Sequence, residues 1–144
     1  GIPIENLIIF NYEVRKLNFF RQEILEELIK LRALLKPDIV FLPSPNDIHQ
    51  DHSTISQEGI RAFKFSTILG YELIWNNLTF NSQAFIKLQK KDVDRKIEAL
   101  KMYSSQGSRD YLTKEFILSL AKARGIQIGA DYAECFEVIR IVSN

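Results

Sequence analysis

The chain has 144 residues, 46% of them hydrophobic and 26% charged, an ordinary globular composition that supports one domain with a real core and excludes a disordered tail. A formal net charge of +1, from 19 basic and 18 acidic residues with neither end strongly basic, leaves nothing to point to a nucleic-acid partner held by charge. The single cysteine, Cys135, cannot form an internal disulfide and fits a reducing, cytoplasmic compartment, and no apolar run approaches a membrane span or a signal peptide.

In chain order, Leu7-Ile8-Ile9-Phe10 is a short apolar run and predicts a buried strand. Over residues 18–36 the pattern shifts to helical period. Phe20, Ile24, Leu28, Leu31 and Leu35 share one stripe, with Glu23, Glu27, Lys30 and Arg32 largely off it. Pro37 ends that helix, because the residue before a proline is pushed out of the α region. Asp38-Ile39-Val40-Phe41-Leu42 then predicts a strand covered on both faces, as in a parallel sheet, since it shows no polar alternation after its first residue. A helix followed by a buried strand is half of a βαβ unit.

The loop Pro43-Ser44-Pro45-Asn46-Asp47-Ile48-His49-Gln50-Asp51-His52 follows. In open α/β sheets, ligands sit at the carboxyl end of such a strand. A helix is predicted over residues 53–65, with Asp51 or Ser53 as its cap, and strands over 68–75 and 84–88 with the polar stretch 75–80 between them. A helix runs from Asp92, as N-cap, to Tyr103. After a loop over 104–110, Thr113 caps a last helix that stops at Gly125. The closing strand covers residues 136–142. With no internal repeat or linker, residues 1–144 read as a single domain.

Both histidines fall in one stretch, His49-Gln50-Asp51-His52, with Asp47 two residues earlier. Imidazoles and carboxylates are the ligands of zinc and related hydrolytic metals. One histidine at a metal and another beside it give a Lewis-acid anchor and a proton donor, and an aspartate can hold an imidazole in one tautomer. The bland alternative is a set of loop polars and helix caps. The set is incomplete as a metal site, because a catalytic zinc has three protein ligands and a water. His49 and His52 are also expected partly or wholly outside regular helix, so they need not face the same way.

Pro37-Asp38-Ile39-Val40-Phe41 and then Asp47-x-His49-x-Asp51-His52 resemble the second motif of the LmbE-like, or PIG-L, zinc-dependent de-N-acetylases. Ala99-Leu100-x-x-Tyr103-x-Ser105-Gln106 resembles a further family segment, with Tyr103 where His is common. Tyr132-Ala133-Glu134-Cys135-Phe136-Glu137 resembles the family's closing strand. The resemblance implies an α/β, Rossmann-like fold with a largely parallel sheet flanked by helices, lacking its N-terminal strands. It implies removal of acetyl groups from N-acetylated amino sugars or sugar conjugates. His52 would be a zinc ligand, His49 an oxyanion stabiliser and proton donor, and Asp51 the residue that orients a histidine. The family's first motif, Ala-His-Pro-Asp-Asp-Glu, matches nothing in residues 1–144, so a preceding segment carrying most of the ligands and the base is expected. Residues 1–144 alone would then have little or no activity. The resemblance also allows a homo-oligomer that covers an edge or apolar face of the sheet.

Asn46 and Asp47 border the same loop and are assigned to substrate binding. Trp75-Asn76-Asn77 suits a sugar-binding wall, because an aromatic ring stacks on the apolar face of a sugar and amides bond its hydroxyls. Its bland alternative is a turn with Trp75 in the core. Arg21 and Arg109 read as solvated, and Cys135 as a small core residue rather than a nucleophile. Glu134 and Glu137 lie on the last strand within reach of the site, with no role assigned. The competing functional classes are a non-catalytic binding or scaffold domain that keeps the fold, and a phosphate-ester hydrolase, which needs a more carboxylate-rich site.

Overall fold

A computed structural model describes residues 2–103 and 109–143. Ser105 and Gln106 of the third sequence segment lie outside the described residues. Four strands, β1 (Ile39–Pro43), β2 (Thr67–Tyr71), β3 (Ala84–Leu88) and β4 (Tyr132–Arg140), form one sheet in the order β1-β2-β4-β3. Four helices flank it: α1 (Arg21–Leu35), α2 (Gln50–Ala62), α3 (Lys90–Lys101) and α4 (Lys114–Ile126). The α/β layering expected from the sequence is borne out. The parallel pairing is confined to β1 and β2, joined through α2, while β4 runs antiparallel to both β2 and β3. β2 and β3 therefore run the same way, so the helix-free connection between them returns the chain along the sheet, while β4, reached from β3 through α3 and α4, runs opposite to both.

Two apolar clusters hold the layers. Leu25, Leu42, Ala62, Phe63 and Ile68 bring α1 and α2 onto β1 and β2. Val93, Ile97, Ile117 and Ala121 join α3 to α4, with Leu88 and Tyr132 packed against them from the sheet. Local chemistry sets the helix ends. Lys36, at φ 45°, closes α1 in the left-handed region before Pro37. Thr113 accepts the backbone N–H of Phe116 and caps α4, as expected. Asp92 is not the cap of α3. Gln89 is, and Asp92 answers from the third helical position to complete a capping box.

Leu7-Ile8-Ile9-Phe10 does not form a strand, and all four residues are exposed. The segment lies along α1, where Ile8, Ile9 and Phe10 line an apolar groove with Leu17, Ile24, Leu28 and Ile55. A strand needs a ladder partner, and every ladder here is among β1 to β4. β1 is also not covered on both faces. Its burial alternates, with Val40 and Leu42 inward and Ile39 and Phe41 about half exposed on the sheet face that is left less covered. β4 begins at Tyr132, four residues before the expected start, and Cys135 is buried within it as expected.

Candidate functional site

The loop 43–52 leaves the carboxyl end of β1 and turns into α2, which begins three residues earlier than expected. His49 is the N-cap of α2, and its ring Nδ1 accepts the backbone N–H of Asp51 at 3.2 Å. An Nδ1 that accepts carries no proton, so the neutral ring holds its hydrogen on Nε2. His52 stands one turn along, in regular helix. Its Nδ1 meets Asp47 Oδ2 at 2.8 Å. A carboxylate can only accept, so the neutral His52 ring donates from Nδ1 and keeps a lone pair on Nε2. The two rings stack, with centroids 4.4 Å apart. The helix begins early enough to bring the two rings side by side, His49 as its cap and His52 in its first turn.

Asp47 is 4% exposed, and both of its carboxylate oxygens are engaged. Oδ1 accepts the His49 backbone N–H at 2.8 Å while Oδ2 holds the His52 ring. Asp47 therefore supports both histidines through its carboxylate. Asp51, expected to orient a histidine, meets the His49 ring through its backbone N–H, while its carboxylate goes elsewhere. Its oxygens accept the backbone N–H groups of Arg15 at 2.6 Å and Leu17 at 3.3 Å. Arg15 sits at φ 68°, so Asp51 pins a left-handed turn and the 3₁₀ segment Leu17–Phe20 onto the start of α2. The sequence reading gave the orienting role to Asp51; the helix start puts the Asp47 carboxylate against the His52 ring instead.

The Trp75 segment does come to this loop. Asp47 pairs with Asn77 in an isolated antiparallel bridge, and the Ile48 N–H donates to the Asn76 carbonyl at 3.2 Å. β2 ends at Tyr71, so Trp75 lies past the strand, 43% exposed and stacked on Tyr111 with centroids 3.7 Å apart. It is not a core residue. Tyr71 pairs with Pro43 at the end of the ladder. Its phenol is raised above the ordinary value by burial first and by the charge of Asp47 second.

Glu137 is the residue that sequence reasoning left without a role. It is 4% exposed, on β4, and Ser44 donates its hydroxyl to Oε2. Asn46 Nδ2 donates to Oε1 at 3.0 Å and the Asn81 N–H at 2.9 Å. The available signal was a glutamate in an otherwise apolar run, since a buried carboxylate persists only with partners. Glu134 is turned away and pairs with Lys96. Arg21 is half exposed but not merely solvated, for it pairs with the buried Glu58 of α2. Arg124 holds Glu72 and Ser82, the two ends of the connection that carries Trp75.

No protein-family model and no characterised protein sequence matches the chain. Solved structures do. An N,N'-diacetylchitobiose deacetylase from Pyrococcus horikoshii, complexed with an inhibitor, superposes with a TM-score of 0.70 and 22% identity, covering 90% of this chain and 55% of its own. The fold is that of a known deacetylase. A zinc-inhibited form of teicoplanin deacetylase superposes with a TM-score of 0.68 at 14% identity, over 99% of this chain and 61% of its own. A 4-carboxy-2-hydroxymuconate hydratase from Pseudomonas putida KT2440 gives 0.67 at 17% identity, over 85% of this chain and 61% of its own. At these identities the likeness is one of fold. The chain spans 55 to 61% of the length of these three structures.

Zinc, which the motif resemblance implies, finds one fitting ligand here. His52 presents a bare Nε2 and has the carboxylate behind it that metal-bound imidazoles use. Among the described residues no group of three His, Cys, Asp or Glu side chains is arranged to hold a metal ion. No helix among them is long and apolar enough to cross a membrane.

Proposed function

We propose that the chain is the carboxyl-terminal portion of a zinc-dependent de-N-acetylase acting on an N-acetylated amino sugar or sugar conjugate. The observation that carries this reading is the opposed pair of imidazoles at the carboxyl end of β1. His52 offers a lone pair and His49 offers an N–H, side by side, in a fold that deacetylases share. A zinc ion in such an enzyme polarises the amide carbonyl and lowers the pKa of a bound water. His52 would supply one donor to that ion, with Asp47 holding its ring. His49 would offer its Nε2 hydrogen to the oxygen that becomes negative as the amide is attacked, and to deliver a proton to the leaving amine its Nδ1 would first have to release the Asp51 N–H. Trp75 and Asn76 line the approach as a stacking face and a polar edge. The remaining ligands and the general base belong to a part of the polypeptide outside residues 1–144.

Acetate release from N-acetylglucosamine conjugates, assayed together with zinc content, tests the reading on residues 1–144 and on the natural polypeptide that contains them. Activity and zinc in the longer protein, both lost on His52→Ala, support it. Zinc-free, inactive protein in both forms overturns it and leaves a non-catalytic binding domain.

A further inference from the structure

Glu137 gathers three segments that are far apart in sequence: the strand β4, the loop at residues 44–46 and the connection at residue 81. Ser44 takes part twice, donating to Glu137 Oε2 and accepting the Asn46 backbone N–H at 3.0 Å. The close approach depends on Gly70, which pairs with Glu137 across the sheet. A Cβ there would stand 3.2 Å from the Ser44 Cα and 3.5 Å from the Glu137 Cβ.

This arrangement has a consequence for Asn46. An amide side chain has one donating end and one accepting end, and rotation by half a turn exchanges them. A carboxylate oxygen cannot donate. Glu137 Oε1 therefore takes the NH2 end of Asn46, and the Asn81 N–H occupies the same oxygen. The carbonyl end, Oδ1, is left as the acceptor of an exposed residue one position before Asp47.

We propose that Glu137 is a positioning residue that locks Asn46 with its Oδ1 outward, so that the site recognises a hydrogen-bond donor of the ligand: a sugar hydroxyl or the N–H of the acetamido group. The proposal rests on the de-N-acetylase reading and adds the polarity of the contact. A ligand presenting only acceptors at that point, such as a carboxylate, is disfavoured.

The variants separate acceptor geometry from charge. In Glu137→Gln the amide oxygen replaces Oε1, because its NH2 end would face two donors there. Ser44 then receives the Gln N–H with its free lone pair. The lock survives the loss of charge. Glu137→Met offers no acceptor, and Asn46→Ala removes the recognising group.

The experiment is NMR of the longer natural polypeptide that contains residues 1–144, titrated with N-acetylglucosamine. Without ligand, the Asn46 side-chain NH2 protons are expected to show a cross-relaxation contact to the Asn81 amide proton. With ligand, Asn46→Ala and Glu137→Met bind roughly tenfold more weakly than wild type, and Glu137→Gln stays within about twofold. Absence of the Asn46–Asn81 contact overturns the proposal whatever the chain binds. Equal binding by wild type and Asn46→Ala, or a tenfold loss in Glu137→Gln, overturns it while leaving the de-N-acetylase reading intact. A wild-type chain that keeps the Asn46–Asn81 contact but does not bind the sugar overturns the donor assignment through failure of that reading. If Glu137→Met does not fold, the other two variants decide.

Discussion

The rings of His49 and His52 stack at 4.4 Å, with their planes 29° apart, yet their hydrogen bonds fix opposite tautomers. Asp51 lends its backbone N–H to one ring and Asp47 lends its carboxylate to the other. One neutral imidazole is thereby left with a donor on Nε2 and its neighbour with a lone pair there. A pair of identical side chains thus acquires two chemical roles from two contacts.

The tautomers are directly measurable. Long-range nitrogen–proton correlation spectra of the neutral rings should show His52 protonated on Nδ1 and His49 on Nε2. Asp47→Asn removes the obligate acceptor and should let His52 shift toward the Nε2-protonated form. An unchanged His52 spectrum in that variant would mean that Asp47 does not set the tautomer. In the longer, zinc-loaded protein the same substitution should weaken zinc affinity by about 10- to 100-fold.

Asp51 predicts a different phenotype. Asp51→Ala leaves the Arg15 and Leu17 amides without their acceptor and removes a carboxylate from the first turn of α2. The expected loss is about 1–3 kcal/mol of stability in urea denaturation. The His52 tautomer should stay as in wild type. A shifted His52 spectrum together with full stability would restore Asp51 to the orienting role that the sequence suggested.

Two glycines give a steric test. In Gly125→Ala the new Cβ would lie 2.6 Å from the Ala130 carbonyl oxygen and 2.8 Å from the Tyr132 nitrogen, both backbone. The packing of α4 against β4 must give way, at about 1–3 kcal/mol. Gly70→Ala meets Ser44 at 3.2 Å, and its expected effect is local. The Ser44–Glu137 hydrogen bond loosens, read by faster hydroxyl exchange at Ser44, at a smaller cost in midpoint. Equal denaturation midpoints for Gly125→Ala and wild type would contradict the close approach of α4 to β4.

The pH dependence follows from Tyr71 and Cys135. Burial raises both, with Asp47 adding to Tyr71 and with Ser82 and Arg124 opposing at Cys135. A group raised in the folded state favours folding while both states are protonated. That contribution is lost once the unfolded group ionises. Stability should therefore fall as pH climbs above 9.0 for the thiol and 10.0 for the phenol, their ordinary values. Tyr71→Phe should flatten the upper part of that decline. Asp47→Asn should bring the Tyr71 titration, followed by ultraviolet difference against Tyr71→Phe, only part of the way back, since burial is the larger cause. A full return would make Asp47 the dominant one. Cys135 should react with iodoacetamide only slowly at neutral pH.

The sequence alone was sufficient for much of the frame. The strand at residues 39–42 and its proline boundary, the strand at 84–88, the Thr113 cap and the core placement of Cys135 rest on interactions between near neighbours or on plain hydrophobicity. Such signals are written locally. The same holds for the clustering of His49 and His52 after a strand. The tertiary structure alone decided which aspartate sits beneath His52, because one residue of helix start rotates a side chain by about 100°. It alone turned Leu7–Phe10 from a strand into an apolar segment along α1, since pairing depends on where an edge is free. It also brought Glu137 beneath Asn46, 91 residues away. A buried carboxylate announces in sequence that it must have partners, but only the folded chain says which ones.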